Sequence, residues 1–168
     1  MSIENLSAEE LQNFIQNYRE AGKKEGGKYS LAELNIEELR RKGKNYSGED
    51  VVKTILKLSK NATDGLVTYK QVWSIFCPDR EWKGHSTQNE VSNMLGSATH
   101  YCASRKAEGF PIVTVLVVQQ HSRKAKEEAI ENIFNAARDL GIDTGHDAKT
   151  FYDAQMDASM KFACSPCI

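Results

Sequence analysis

Gly65-Leu-Val-Thr-Tyr-Lys-Gln-Val72, read together with Pro111-Ile-Val-Thr-Val-Leu-Val-Val118, decides the fold. In the first stretch Leu66-Val67 suffices for a short strand. Thr68, with Gln71 three residues on, then forms a capping box, in which each side chain takes the amide of the other residue. Val67 and Val72 flank the box as a hydrophobic staple, so a helix opens here, carries Trp73 and Phe76, and stops at Cys77-Pro78. The second stretch is almost wholly apolar and rich in β-branched residues, which predicts a strand covered on both faces. Leu66-Val67 is the one partner the chain offers it. The sheet is therefore tiny, or a less obvious segment joins it, or a second copy of the chain completes it.

Between the two stretches lies a polar loop, Pro78 to Ser86, that holds Arg80, Trp82, Lys83 and His85. Thr87-Gln-Asn-Glu90 reads as a further capping box opening a longer helix, with Val91, Met94, Leu95, Ala98, Tyr101 and Cys102 inside and Gly109 past its end. Toward the N-terminus, Ser7 with Glu10, Ser30 with Glu33 and Ser47 with Asp50 mark three helix starts. Their stripes include Leu11, Phe14, Ile15 and Tyr18 in the first helix and Val51, Val52, Ile55 and Leu56 in the third. Toward the C-terminus, Ala125 to Leu140 is an amphipathic helix closed by Gly141-Ile142 as a Schellman motif, and a last helix covers about 148–161. The expected class is mostly α (α+β): a helical N-terminal segment over 1–62, a core with a small sheet over 63–120, and two C-terminal helices over 121–168. At 168 residues these make one compact domain.

With 40% hydrophobic and 27% charged residues, the chain is neither a disordered tail nor a coiled coil. Its longest apolar run is too short to cross a membrane and Met1–Ser7 lacks signal-peptide form, so a cytoplasmic protein is expected. The net charge of −1 removes the global basic excess of a non-specific nucleic-acid binder. The charge is uneven, however: residues 51–110 hold 8 Lys or Arg against 5 Asp or Glu, whereas the flanks are acidic. No phosphate-binding glycine loop, HExxH or GxSxG motif occurs, which leaves no marked enzyme class and no expected cofactor.

Strand, helix, loop, helix, strand is the order of a winged-helix core. Gly65-Leu-Val-Thr-Tyr-Lys-Gln-Val72 resembles the segment that opens the winged-helix domain of alkylguanine DNA alkyltransferases and the alkyltransferase-like proteins. Asn89-Glu-Val-Ser-Asn-Met-Leu95 stands where that family has its recognition helix, and Gly109-Phe-Pro-Ile-Val113 where its chain enters the catalytic segment. The family's Pro-Cys-His-Arg nucleophile motif is absent and Lys70 stands in place of a glycine. The resemblance therefore implies a DNA-binding scaffold without alkyl transfer, with Tyr69 near the phosphates.

The wheel of the helix from Gln88 supports a contact surface independently. Its outward face is Asn89, Asn93, Gly96, Ser97, His100 and Ser104, none of them charged. Small amides and hydroxyls let another surface approach closely, and Asn pairs bidentately with adenine. Lys83, Arg105 and Lys106 at the helix ends would hold phosphates. The leading expectation is thus a non-enzymatic protein binding duplex DNA through Tyr69, Arg80, Trp82, Lys83, His85, Gln88, Asn89, Asn93, Ser97, His100, Arg105 and Lys106. The same surface suits an inhibitor or immunity-type protein that binds another protein, and packing against the N-terminal helices is the third use for it.

Two smaller constellations complete the reading. Asp143, His146 and Asp147 share a loop with Thr144, as a metal-dependent hydrolase would require, or simply form a turn and a helix cap. Cys164 and Cys167 have the spacing of half a zinc site, or are incidental thiols of the tail. The unpaired strand also predicts homodimerisation by strand addition, or through the apolar sides of the last two helices.

Overall fold

The computed structural model describes residues 3–23, 25–42 and 46–165. The chain divides into two compact units, residues 1–44 and 45–168. The boundary lies before the third helix, not at 62/63, because that helix carries the central apolar face of the second unit.

The first unit is a helical hairpin of α1 (Ala8–Ala21) and α2 (Leu31–Lys42). Leu6, Leu11, Ile15, Leu31 and Leu34 form its small core. Both expected capping boxes are present: the Ser7 amide donates to Glu10 at 2.7 Å and the Ser30 amide to Glu33 at 2.7 Å, with the hydroxyls accepting in return.

The second unit is built on α3 (Gly48–Asn61), which packs along α5 (Gly84–Ser104). Between them in sequence come β1 (Val67–Thr68) and α4 (Tyr69–Phe76); after α5 come β2 (Val117–Val118), α6 (Glu127–Asp139) and α7 (Ala148–Ala163). The architecture is mostly helical with a minor sheet. Val51, Val52 and Ile55 of α3 meet Trp73 of α4, Met94 and Ala98 of α5, and Phe151 and Tyr152 of α7 in one core. No described helix is long and apolar enough to cross a membrane.

The sheet has two strands in parallel register, Val67 opposite Val117 and Thr68 opposite Val118. Most of the expected strand at 111–118 takes another form: Val113–Leu116 is a 3-10 turn, and only the last two residues are strand. All eight residues are buried, and side chains of α7 satisfy three of their backbone groups where a sheet ladder would. Gln155 of α7 accepts from the Ile112 amide at 2.8 Å, Ser159 donates to the Ile112 carbonyl at 3.3 Å, and the Tyr152 hydroxyl donates to the Val115 carbonyl at 2.7 Å. Thr114 pairs with Thr99 of α5 at 2.8 Å. The apolar run is thus a core plug with a β end, and it needs no second copy to cover it.

Candidate nucleic-acid interface

The corner between α4 and α5 gathers half of the residues singled out by sequence. Thr68 and Gln71 form the expected box and start α4, which places Trp73 in the core at 1% exposure. The Trp73 indole donates to Glu90 on α5 at 3.2 Å, and Arg80 donates to both oxygens of the same carboxylate at 2.9 and 2.8 Å. The Arg80 guanidinium lies 5.6 Å from the centre of the Trp73 ring, and Trp82 meets that ring edge-on, also at 5.6 Å. The loop is therefore wrapped around one buried indole. Trp82 is half-buried packing, not a free stacking platform.

This bracket explains why α5 starts earlier than its sequence suggests. Glu90 is engaged by Trp73 and Arg80, so the expected box with Thr87 does not form. Instead the buried Thr87 hydroxyl donates back to the Lys83 and Gly84 carbonyls at 3.0 Å each, and the helix begins at Gly84. Gly84 has φ +75°, which glycine adopts without steric penalty. Lys83 occupies the cap position without a side-chain cap.

From this start the uncharged face of α5 splits in two. His85, Gln88, Asn89 and Ser92 are exposed on the first turns, whereas Asn93, Ser97 and His100 are half-buried. The first turn of α3 lies against this part of α5 at Ser97: a Cβ on Gly48 would fall 2.2 Å from the Ser97 carbonyl oxygen and 3.1 Å from the Tyr101 Cβ. Part of the face thus packs against a helix of the expected N-terminal segment. Burial holds the His100 imidazole below its ordinary pKa.

The remaining predicted contacts lie elsewhere. Tyr69 is half-buried at the opposite end of α4, and burial raises its phenol pKa. Arg105 and Lys106 follow the far end of the 21-residue helix, about 30 Å of rise from Lys83. Arg105 pairs with Glu108 and donates to the Tyr101 hydroxyl at 2.8 Å, with its guanidinium 4.9 Å from the Phe110 ring centre. Lys106 donates to the Gly141 carbonyl at 2.6 Å. Lys83 pairs with Glu81 at 2.8 Å. Every cation expected to hold phosphate on this helix or its loop already has a partner within the protein.

Cations that sequence reasoning passed over are free by contrast. Lys57, Lys60, Lys70, Lys124 and Lys126 are exposed and make no ion pair among the described residues. The signal was available: residues 51–78 and 109–126 together hold seven Lys or Arg and a single acid, Asp64.

The other constellations resolve into local structure. Asp143 accepts from the Gly145 amide at 3.1 Å in a turn, and Asp147 accepts from the Thr150 amide at 2.6 Å as the cap of α7, which holds its carboxyl below the usual range. His146 is exposed, and no three metal-ligating side chains come together among the described residues. Cys164 is an exposed free thiol, while Cys167 lies outside the described residues. Cys102 is buried, its thiol pushed up to about 12, which keeps it a protonated packing group. No protein family, no characterised protein and no solved structure matches this chain.

Proposed function

We propose that this protein binds duplex DNA without catalysing a reaction on it, by presenting the first turns of α5 to the major groove. The observation that carries this reading is the open, uncharged surface of His85, Gln88, Asn89 and Ser92 on a helix end held by Trp73, Glu90 and Arg80. Asn and Gln each offer a donor and an acceptor on one planar group, matching the adenine edge, and a fixed helix holds them without further ordering. On this reading the protein works in the cytoplasm, and the resemblance of residues 65–113 to a DNA-binding scaffold points the same way.

One observation favours a second reading. Ile75 on α4 is 55% exposed, a large apolar side chain facing water. An inhibitor or immunity-type protein, docking on another protein or on a second copy of itself, would use such a surface. Fluorescence anisotropy with a labelled random-sequence duplex at low and moderate salt separates the two. DNA binding predicts affinity that falls steeply with salt and drops in Gln88→Ala/Asn89→Ala but not in Ile75→Ser. No duplex binding at low salt, with light scattering showing a dimer that Ile75→Ser dissolves, would replace it with the protein-docking reading.

A further inference from the structure

Charge in the second unit is segregated. Lys57 and Lys60 stand one turn apart on the exposed side of α3, ahead of the turn that leads into β1. The loop after β2, residues 119–126, contains Arg123, Lys124 and Lys126 and no acid. Folding brings the loop against the turn that follows α3 and Lys60. Arg123 donates to the Asp64 carboxylate at 2.9 and 2.5 Å and to the Leu66 carbonyl at 3.0 Å, so the loop is tied to the turn that follows α3.

Both tied segments are held in fixed form. In the first, Ser59 donates to the Gly65 carbonyl at 2.6 Å and the Leu66 amide donates to Asp64 at 3.1 Å. In the second, the Gln119 amide donates to the Lys124 carbonyl at 3.1 Å, the Arg123 amide to the Gln119 carbonyl at 3.0 Å, and the Lys124 amide to the Ser122 hydroxyl at 3.3 Å. Arg123 has φ +54°, the one positive φ on a non-glycine residue among those described. Such a conformation is disfavoured for a residue with a side chain and persists where the surroundings impose it. The result is an exposed loop with a fixed path, carrying His121 and Ser122 at its tip.

A lysine whose only task is solubility needs neither a rigid mount nor like-charged neighbours, which repel one another. The arrangement suits a partner with regularly spaced negative charges that displaces condensed counterions on contact. We infer that the edge formed by the C-terminal half of α3, the 62–66 turn and the 119–126 loop is a second nucleic-acid contact, in which Lys57, Lys60 and Lys124 hold backbone phosphates. The inference rests on the duplex-binding reading and deepens it: α5 meets base edges, and this edge supplies the salt-dependent affinity that the paired cations around α5 cannot.

The test uses the full chain and a labelled random-sequence duplex, with affinity measured over a series of salt concentrations for wild type, Lys57→Gln/Lys60→Gln/Lys124→Gln, and Gln88→Ala/Asn89→Ala. Circular dichroism verifies that each variant is folded. The lysine variant is expected to lose about 0.9 from the slope of log K against log salt for each phosphate contact removed, while the α5 variant loses affinity at unchanged slope. A wild-type slope retained by the lysine variant would overturn this inference and leave the duplex-binding reading standing. Absence of duplex binding by wild type would remove both. Lysine-dependent binding to phosphatidylserine vesicles without duplex binding would assign the edge to a lipid surface and overturn it as well.

Discussion

The two cationic regions of the second unit use their charge in opposite ways. Around α5, Arg80, Lys83 and Arg105 each face a carboxylate, Glu90, Glu81 and Glu108, and two of the three guanidinium or ammonium groups also lie on or donate to aromatic side chains. At the α3 edge, Arg123 alone is engaged among the described residues, by Asp64, and its pairing fixes the loop that carries Lys124. Arginine suits the first role because its planar fork binds a carboxylate at two points and stacks on rings, while lysine keeps a compact, hydrated charge available for exchange. A cation near a candidate site is therefore no measure of positive potential until its partner is known.

The largest effect that would sharpen this contrast is at Trp73. Trp73→Ala removes the buried indole around which the α4–α5 loop is wrapped, and is expected to cost about 3–5 kcal/mol in denaturant unfolding. A loss below about 1 kcal/mol would mean that the charged bracket, not the core, holds the corner.

Next in size is Glu90→Gln. The amide oxygen still accepts from Trp73, but the carboxylate facing Arg80 is gone. Because that pair is solvent-exposed the unfolding midpoint should barely move, whereas duplex affinity should rise and its salt slope steepen by about 0.9 as Arg80 becomes available to a phosphate. An unchanged slope would show that Arg80 faces away from the duplex.

The smallest effect concerns the occupied half of the α5 face. His100 has its pKa lowered from 6.5 by burial, so the folded state binds fewer protons than the unfolded one. Stability then rises with pH across this titration: it is complete above about 6.5 and declines as pH falls below that value. His100→Asn should flatten the decline below about pH 6.5. An identical profile in the variant would mean that burial of the His100 ring does not disfavour its charged form.

Much of the helical framework was legible in the sequence because its signals are local. Capping boxes at Ser7, Ser30 and Thr68 and the cap at Asp147 connect residues three apart, and each forms as read. The Schellman close of α6 likewise appears, with the Ile142 amide donating to the Ala137 carbonyl at 3.0 Å. Thr87 and Glu90 carry the same local signal and fail, because a distant indole and guanidinium compete for the glutamate. The apolar run at 111–118 was read correctly as buried but not as to form, since the groups that satisfy its backbone sit some 40 residues away on α7.

The candidate site divides along the same line. Sequence alone determined that α5 carries an uncharged polar face and that Arg80, Trp82 and Lys83 precede it, for these follow from helical period and order along the chain. Only the tertiary structure decided that α3 covers the second half of that face through Gly48, that the cations of the loop are neutralised, and that free lysines gather at another edge. Residue type and spacing set what a side chain can do within one or two turns. Which of its possible partners it meets depends on Coulomb and packing interactions between segments that are remote in sequence, and these exist only once the chain has folded.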